Sequence, residues 1–154
     1  MLEAGSRAPE FQLADLEGRK QSLQALLGRG PVLLAFFKAS CPVCQMTFPF
    51  LQRLHESGGG VAILGVSQDG AADTRRFNAE YGVTFPMLID DAGYAVSNAF
   101  GLSSVPSLFL IEPDGAISQS WCGFVKKDLE ALGQRLGMAA LFRADERVPE
   151  LQPG

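Results

Sequence analysis

Cysteine and histidine are scarce in this chain, with three of the first and one of the second among 154 residues. A small scaffold stapled by disulfides is therefore excluded, because three cysteines are few and leave one thiol over. Metal chemistry is short of ligands too. Cys41, Cys44, Cys122 and His55 would supply the four that a closed zinc site needs, but no second paired motif exists, and His55 lies several turns down the helix that follows Cys41. No metal is expected. Charge of one sign is also lacking: the net charge is −4, and the Lys and Arg residues are scattered, which leaves no basic footprint for nucleic acid. No apolar run approaches the length of a membrane span, and the opening MLEAGSRAPEF lacks the charged-then-apolar build of a leader. As written, the chain is expected in the cytoplasm; a removed leader or anchor would make it extracytoplasmic. Internal repeats and low-complexity linkers are absent.

What is present is ordinary globular material, 47% hydrophobic and 19% charged. Such a chain forms one domain that buries about two-thirds of its unfolded surface. The pattern centres on Pro31 to Leu51. Val32 to Phe37 is an almost wholly apolar run of the kind that a strand covered on both faces shows. After Lys38-Ala39-Ser40 the period changes, and Met46, Phe50, Leu51 and Leu54 recur at helical spacing. Ser40 is the expected N-cap, with Pro42 in the first turn. The CxxC of Cys41 and Cys44 is thus delivered to a helix start.

Further along, Val61 to Val66 reads as a second buried strand, Ala71 to Tyr81 as a helix stopped by Gly82, and Phe85 to Asp90 as a short strand. Tyr94 to Phe100 is a short helix, Ser107 to Ile111 and Ala116 to Trp121 form a hairpin around Glu112-Pro113-Asp114-Gly115, and Lys126 to Leu136 is a final helix. Ahead of these, Phe11 to Arg19 suggests an extended segment with a turn at Glu17-Gly18, and Ser22 to Leu27 a short helical turn. Alternating strands and helices closed by a hairpin predict an α/β sandwich with a mixed central sheet flanked by helices. The domain is expected over residues 1–138, with 139–154 a polar, aperiodic tail that drapes over the surface or frays.

A cysteine at a helix N-terminus meets unpaired backbone N–H groups and the positive end of the helix dipole, both of which favour its thiolate. Cys41 is therefore the candidate nucleophile, and Cys44, one turn on and shielded, the candidate resolving thiol. The pair can cycle between dithiol and disulfide without a further cofactor. Ser104-Val105-Pro106-Ser107 stands ahead of the hairpin, and a cis Val105–Pro106 bond is one way into that strand. His55 is expected to be a solvated helix residue, and Cys122 a small buried hydrophobe rather than a third redox thiol.

CPVC after the apolar strand, then YGVTFPMLID, AFGLSSVPSLFLIEPDG and the N-terminal APEFQLADLEG, resemble the thioredoxin-like superfamily, in particular its TlpA/ResA-like, AhpC/TSA redoxin branch. The resemblance covers roughly residues 5 to 137. It implies a thioredoxin fold with an N-terminal β-hairpin extension and an insertion before the FPMLID strand. It also implies a cis-proline at Pro106 beside the two sulfurs, and a Val105 main chain that pairs with an extended substrate segment, flanked by Pro42 and Val43. The implied partners are protein disulfides or dithiols and an upstream electron donor or acceptor, served by a monomer. Departures from the family pattern fall on recognition and proton-handling positions: Ser40 stands where many thioredoxins have Trp, Ala35 where they bury an Asp, and Thr47 where ResA-like proteins often place a Glu. Lys38 is then the nearest ionisable residue in sequence, a cation able to stabilise the Cys41 thiolate. Two other functions remain open. A peroxiredoxin-like thiol peroxidase usually has Thr or Ser three residues before its reactive cysteine and Pro a few residues further upstream, where this chain has Lys38 and, seven residues before Cys41, Leu34; a non-catalytic thioredoxin-fold binding module would need no chemistry at all.

Overall fold

In the computed structural model, which describes residues 1–154, the apolar run of Val32 to Phe37 is buried at every position. It lies inside a sheet built, in chain order, from β1 (Gln12–Asp15), β2 (Lys20–Ser22), α1 (Leu23–Leu27), β3 (Val32–Phe37), α2 (Pro42–Glu56), β4 (Ala62–Ser67), α3 (Ala71–Tyr81), β5 (Met87–Ile89), α4 (Ala95–Ala99), β6 (Ser107–Ile111), β7 (Ile117–Cys122), β8 (Phe124–Val125), α5 (Lys126–Arg135) and β9 (Leu151–Gln152). Seven strands form one sheet in the order β2-β1-β5-β4-β3-β6-β7. β3 pairs parallel with β4 and antiparallel with β6, so the sheet is mixed, and β1–β2 is the N-terminal hairpin added beyond β5.

Strand alternation sorts the core into two layers. Leu33, Ala35 and Phe37 of β3 pack with α2, α3 and α5, whereas Val32, Leu34 and Phe36 pack with α1 and α4. On the first face Phe37 meets Phe48 of α2 with ring centres 4.4 Å apart and Phe77 of α3 at 4.8 Å; on the second, Phe36 meets Phe100 at 5.2 Å. These contacts fix the CxxC helix against the strand that feeds it. α3 stops at Gly82, whose left-handed φ of 67° lets its N–H reach back to the Asn78 carbonyl, as the sequence predicts.

Residues 139–154 drape rather than fray. Leu141 is buried, Phe142 packs on Phe50 at 4.8 Å, and the Arg53 guanidinium of α2 grips both Glu146 oxygens at 2.6 and 2.7 Å. That ion pair holds the Glu146 carboxyl at about 2, below its ordinary 4.5, through the two guanidinium hydrogen bonds. Beyond it β9 pairs with β8. No helix is long and apolar enough to cross a membrane.

Candidate active site

The parallel β3–β4 pair ends at one edge of the sheet, and both strands contribute there to the loop that carries Cys41. Phe37 lies opposite Ser67, so two residues beyond it Ala39 meets Asp69, whose carboxylate accepts the Ala39 N–H at 2.7 Å. Gln45 of α2 clamps the same residue from the other side, donating to the Ala39 carbonyl at 2.9 Å. Neither Asp69 nor Gln45 stands out in the sequence, although the register of a parallel pair would have brought Asp69 beside Ala39.

Ser40 is not the helix cap; it is exposed, and the N-cap is Cys41 itself. The reason lies in Pro42, which occupies the first helical position and makes the residue before it the cap. Cys41 Sγ accepts the Cys44 N–H at 3.1 Å, the bond that a serine or aspartate cap would otherwise make, so the sulfur sits in the field of the helix N-terminus. Cys41 is half-buried and Cys44 is wholly buried one turn below. Burial pushes the Cys44 thiol well up, and its hydrogen bond to Cys41 and the Cys41 charge add to the shift. Pro42 is exposed and Val43 half-buried on the rim.

Across the groove the Val105–Pro106 peptide is cis. The Val105 carbonyl faces the site, and the Cys41 thiol donates to it at 3.5 Å. Pro106 is buried, and its carbonyl takes the Gly123 N–H at 2.8 Å, tying the loop to the end of β7. The structure therefore brings Cys41, Cys44, Val105 and Pro106 together. Lys38 lies beside this group, but its ammonium is directed to the Tyr94 ring, 5.4 Å from the ring centre. Ala35 is buried in the core, and the Thr47 hydroxyl is committed to the Val43 carbonyl at 2.7 Å.

The expectation that Cys122 is a buried hydrophobe is corrected: it is half-buried and its sulfur lies 3.0 Å from the Ser104 hydroxyl. Strand alternation explains this, since Trp121 takes the core-facing position of β7 and turns Cys122 to the opposite face, where the Ser104 loop passes. His55 is half-buried and edge-on to Phe85, about 20 Å along α2 from Cys41 at the helical rise. It is too far away to act on either thiol.

Residues 4–120 match the AhpC/TSA family. Thiol-disulfide oxidoreductase ResA of Geobacillus thermodenitrificans is 35% identical over 130 residues, which cover 82% of this chain and 74% of that protein. ResA of Geobacillus kaustophilus is 34% identical over 133 residues, covering 84% and 75%. Among solved structures, the thioredoxin domain of a thiol-disulfide oxidoreductase from Bacteroides vulgatus superposes with a TM-score of 0.76 at 25% identity, covering 88% of this chain and 98% of that one. Its sheet, its helices and its relatives agree: this chain belongs to the AhpC/TSA family, in the ResA-like branch of thiol–disulfide oxidoreductases.

Proposed function

We propose that the chain exchanges dithiol for disulfide with protein substrates, with Cys41 as the attacking thiolate and Cys44 as the resolving thiol. One observation carries this reading: a half-buried Cys41 caps α2 through its own sulfur, directly above a Cys44 that solvent does not reach. The two cysteines therefore have different chemistry. Cys41 is accessible and faces N–H donors, which makes it the sulfur that attacks. It forms a bond to one substrate sulfur as the substrate disulfide breaks and the other sulfur leaves as thiolate.

Cys44 waits as a thiol because burial and the neighbouring Cys41 charge disfavour its ionisation. Once Cys41 is bound in a mixed disulfide it carries no charge, and that part of the opposition disappears. Cys44 then gives up its proton and attacks Cys41 Sγ; the mixed disulfide breaks and a Cys41–Cys44 disulfide remains. Two electrons have passed to the substrate. Ala35 and Thr47 offer no carboxylate to take the Cys44 proton, so the substrate thiolate released in the first step is its acceptor. A dithiol donor restores the reduced pair, and with a dithiol substrate the same steps run in reverse.

The Val105 main chain and buried Pro106 form the opposite wall, on which an extended substrate segment lies as an added strand beside Pro42 and Val43. Lys38 contributes a positive charge to this rim. Insulin reduction by dithiothreitol tests the assignment. The parent chain accelerates it, Cys41→Ser abolishes the acceleration, and Cys44→Ser stalls after one attack. Full activity in Cys41→Ser overturns the assignment, and rapid peroxide turnover through Cys41 would favour the peroxidase reading instead.

A further inference from the structure

The proposed chemistry makes no use of residues 139–154, yet their last residue, Gly154, lies on its docking wall. β9 pairs antiparallel with β8, Gln152 opposite Phe124 and Leu151 opposite Val125, and the Glu150 carbonyl accepts the Lys126 N–H at 3.0 Å. The chain then crosses Gly123, whose φ of +83° and missing side chain permit the approach. A Cβ built on Gly123 would overlap the Gln152 carbonyl oxygen and stand 3.0 Å from Gly154 N and 3.2 Å from Pro153 Cα. The crossing ends at the Val105–Pro106 peptide, where a Cβ on Gly154 would lie 2.5 Å from the Val105 oxygen and 3.3 Å from Pro106 N. That Val105 oxygen is also the one that the Cys41 thiol faces at 3.5 Å.

We propose that residues 151–154 are an internal strap that selects among substrates. The strap covers the strip of main chain on which a polypeptide segment must lie, so a disulfide carried on a polypeptide reaches Cys41 only when the strap lifts, whereas a small disulfide needs no such strip. The proposal rests on Val105–Pro106 being the docking wall. Two features make the segment a strap and not part of the core. It is fixed at its base, by buried Leu141 and by the Arg53–Glu146 pair, so residues 151–154 stay at high local concentration when lifted. Its own four residues are all exposed, Leu151 by 58%, so the strap contributes no side chain of its own to the core.

Glycine at 154 is what allows the strap to lie flat on the Val105 carbonyl. In the full chain Gly154→Val puts a branched side chain into that contact, and a variant lacking residues 151–154 removes the strap; neither change touches a catalytic residue. Both variants and the parent are assayed on insulin and on oxidised glutathione. A lifted strap raises the insulin rate by about tenfold, as expected when a competent state goes from a minor to the major population, and changes the oxidised glutathione rate by less than about twofold. An unchanged or lower insulin rate in both variants, or an equal rise for the two disulfides, overturns the strap. Oxidised glutathione reduction that vanishes in Cys41→Ser shows that the thiol chemistry stands independently of that outcome; its persistence there removes the chemistry itself.

Discussion

Asp90 is the buried group whose removal tests the structure most sharply. Its carboxylate, 3% exposed, accepts three hydrogen bonds at the start of α4: Val96 N–H at 3.2 Å, Ser97 N–H at 2.7 Å and the Ser97 hydroxyl at 2.8 Å. Tyr94, the N-cap residue, makes no side-chain cap bond, so Asp90 does the capping from the end of β5. In Asp90→Ala two backbone donors lose their acceptor, as in any lost N-cap, which costs roughly 1–2 kcal/mol. The Ser97 hydroxyl still accepts from Gln68 at 3.0 Å, but its own hydrogen points at nothing, a further cost of about 1–2 kcal/mol for an unmet buried donor. The sum, about 3 kcal/mol, corresponds to a fall of roughly 1.5 M in the urea midpoint at a typical slope of about 2 kcal/mol per M. Asp90→Asn keeps an acceptor oxygen and should lose roughly half as much. The effect reaches the site, because the Ser97 carbonyl accepts the Leu102 N–H at 3.1 Å and the chain runs from there to Val105. Folded Asp90→Ala should therefore reduce insulin more slowly. A midpoint shift below about 0.3 M would refute the capping role.

Further expectations follow from other contacts. In Cys44→Ser the substrate should remain attached to Cys41 through one of its sulfurs, detectable by mass as a mixed disulfide that the parent does not accumulate. Gly65→Ala places a Cβ over Met87 Sδ and 3.1 Å from Phe37 Cε1; the thioether can swing away but the ring is held between Phe48 and Phe77, so a cost of about 1–3 kcal/mol should appear in thermal melting. Because Glu146 is held at about 2 in the folded chain against an ordinary 4.5, its pair with Arg53 contributes fully above the ordinary value and is lost as pH falls from there through about 2. Limited proteolysis of residues 139–154 should accordingly accelerate over that window in the parent and be insensitive to it in Glu146→Gln.

The central strand, the CxxC helix and the hairpin were legible because each carries a change of hydrophobic period bounded by Gly, Pro or Ser, a local signal that folding preserves. Cys41 as the cap was one residue from the expected Ser40, although Pro42 held the information, since proline at the first helical position fixes its neighbour. The environment of Cys122 depends on which face of β7 Trp121 takes and on a loop that arrives from residue 104, and neither is encoded nearby. The tail was least legible. Leu141, Phe142 and Val148 follow no period, and the ion pair that anchors them joins positions 93 residues apart. Asp69 was hidden for a related reason: its partner Ala39 is a neighbour only through the register of two parallel strands.

The distinct characters of the two cysteines can be measured directly by alkylating the reduced chain with limiting iodoacetamide at neutral pH and mapping the modified peptides over time. A cap-positioned, accessible Cys41 above a buried Cys44 requires that Cys41 be modified first and Cys44 last, with rates separated by about 100-fold or more. Equal rates at the two sulfurs, or modification of Cys44 ahead of Cys41, would contradict the assignment of attacking and resolving thiols.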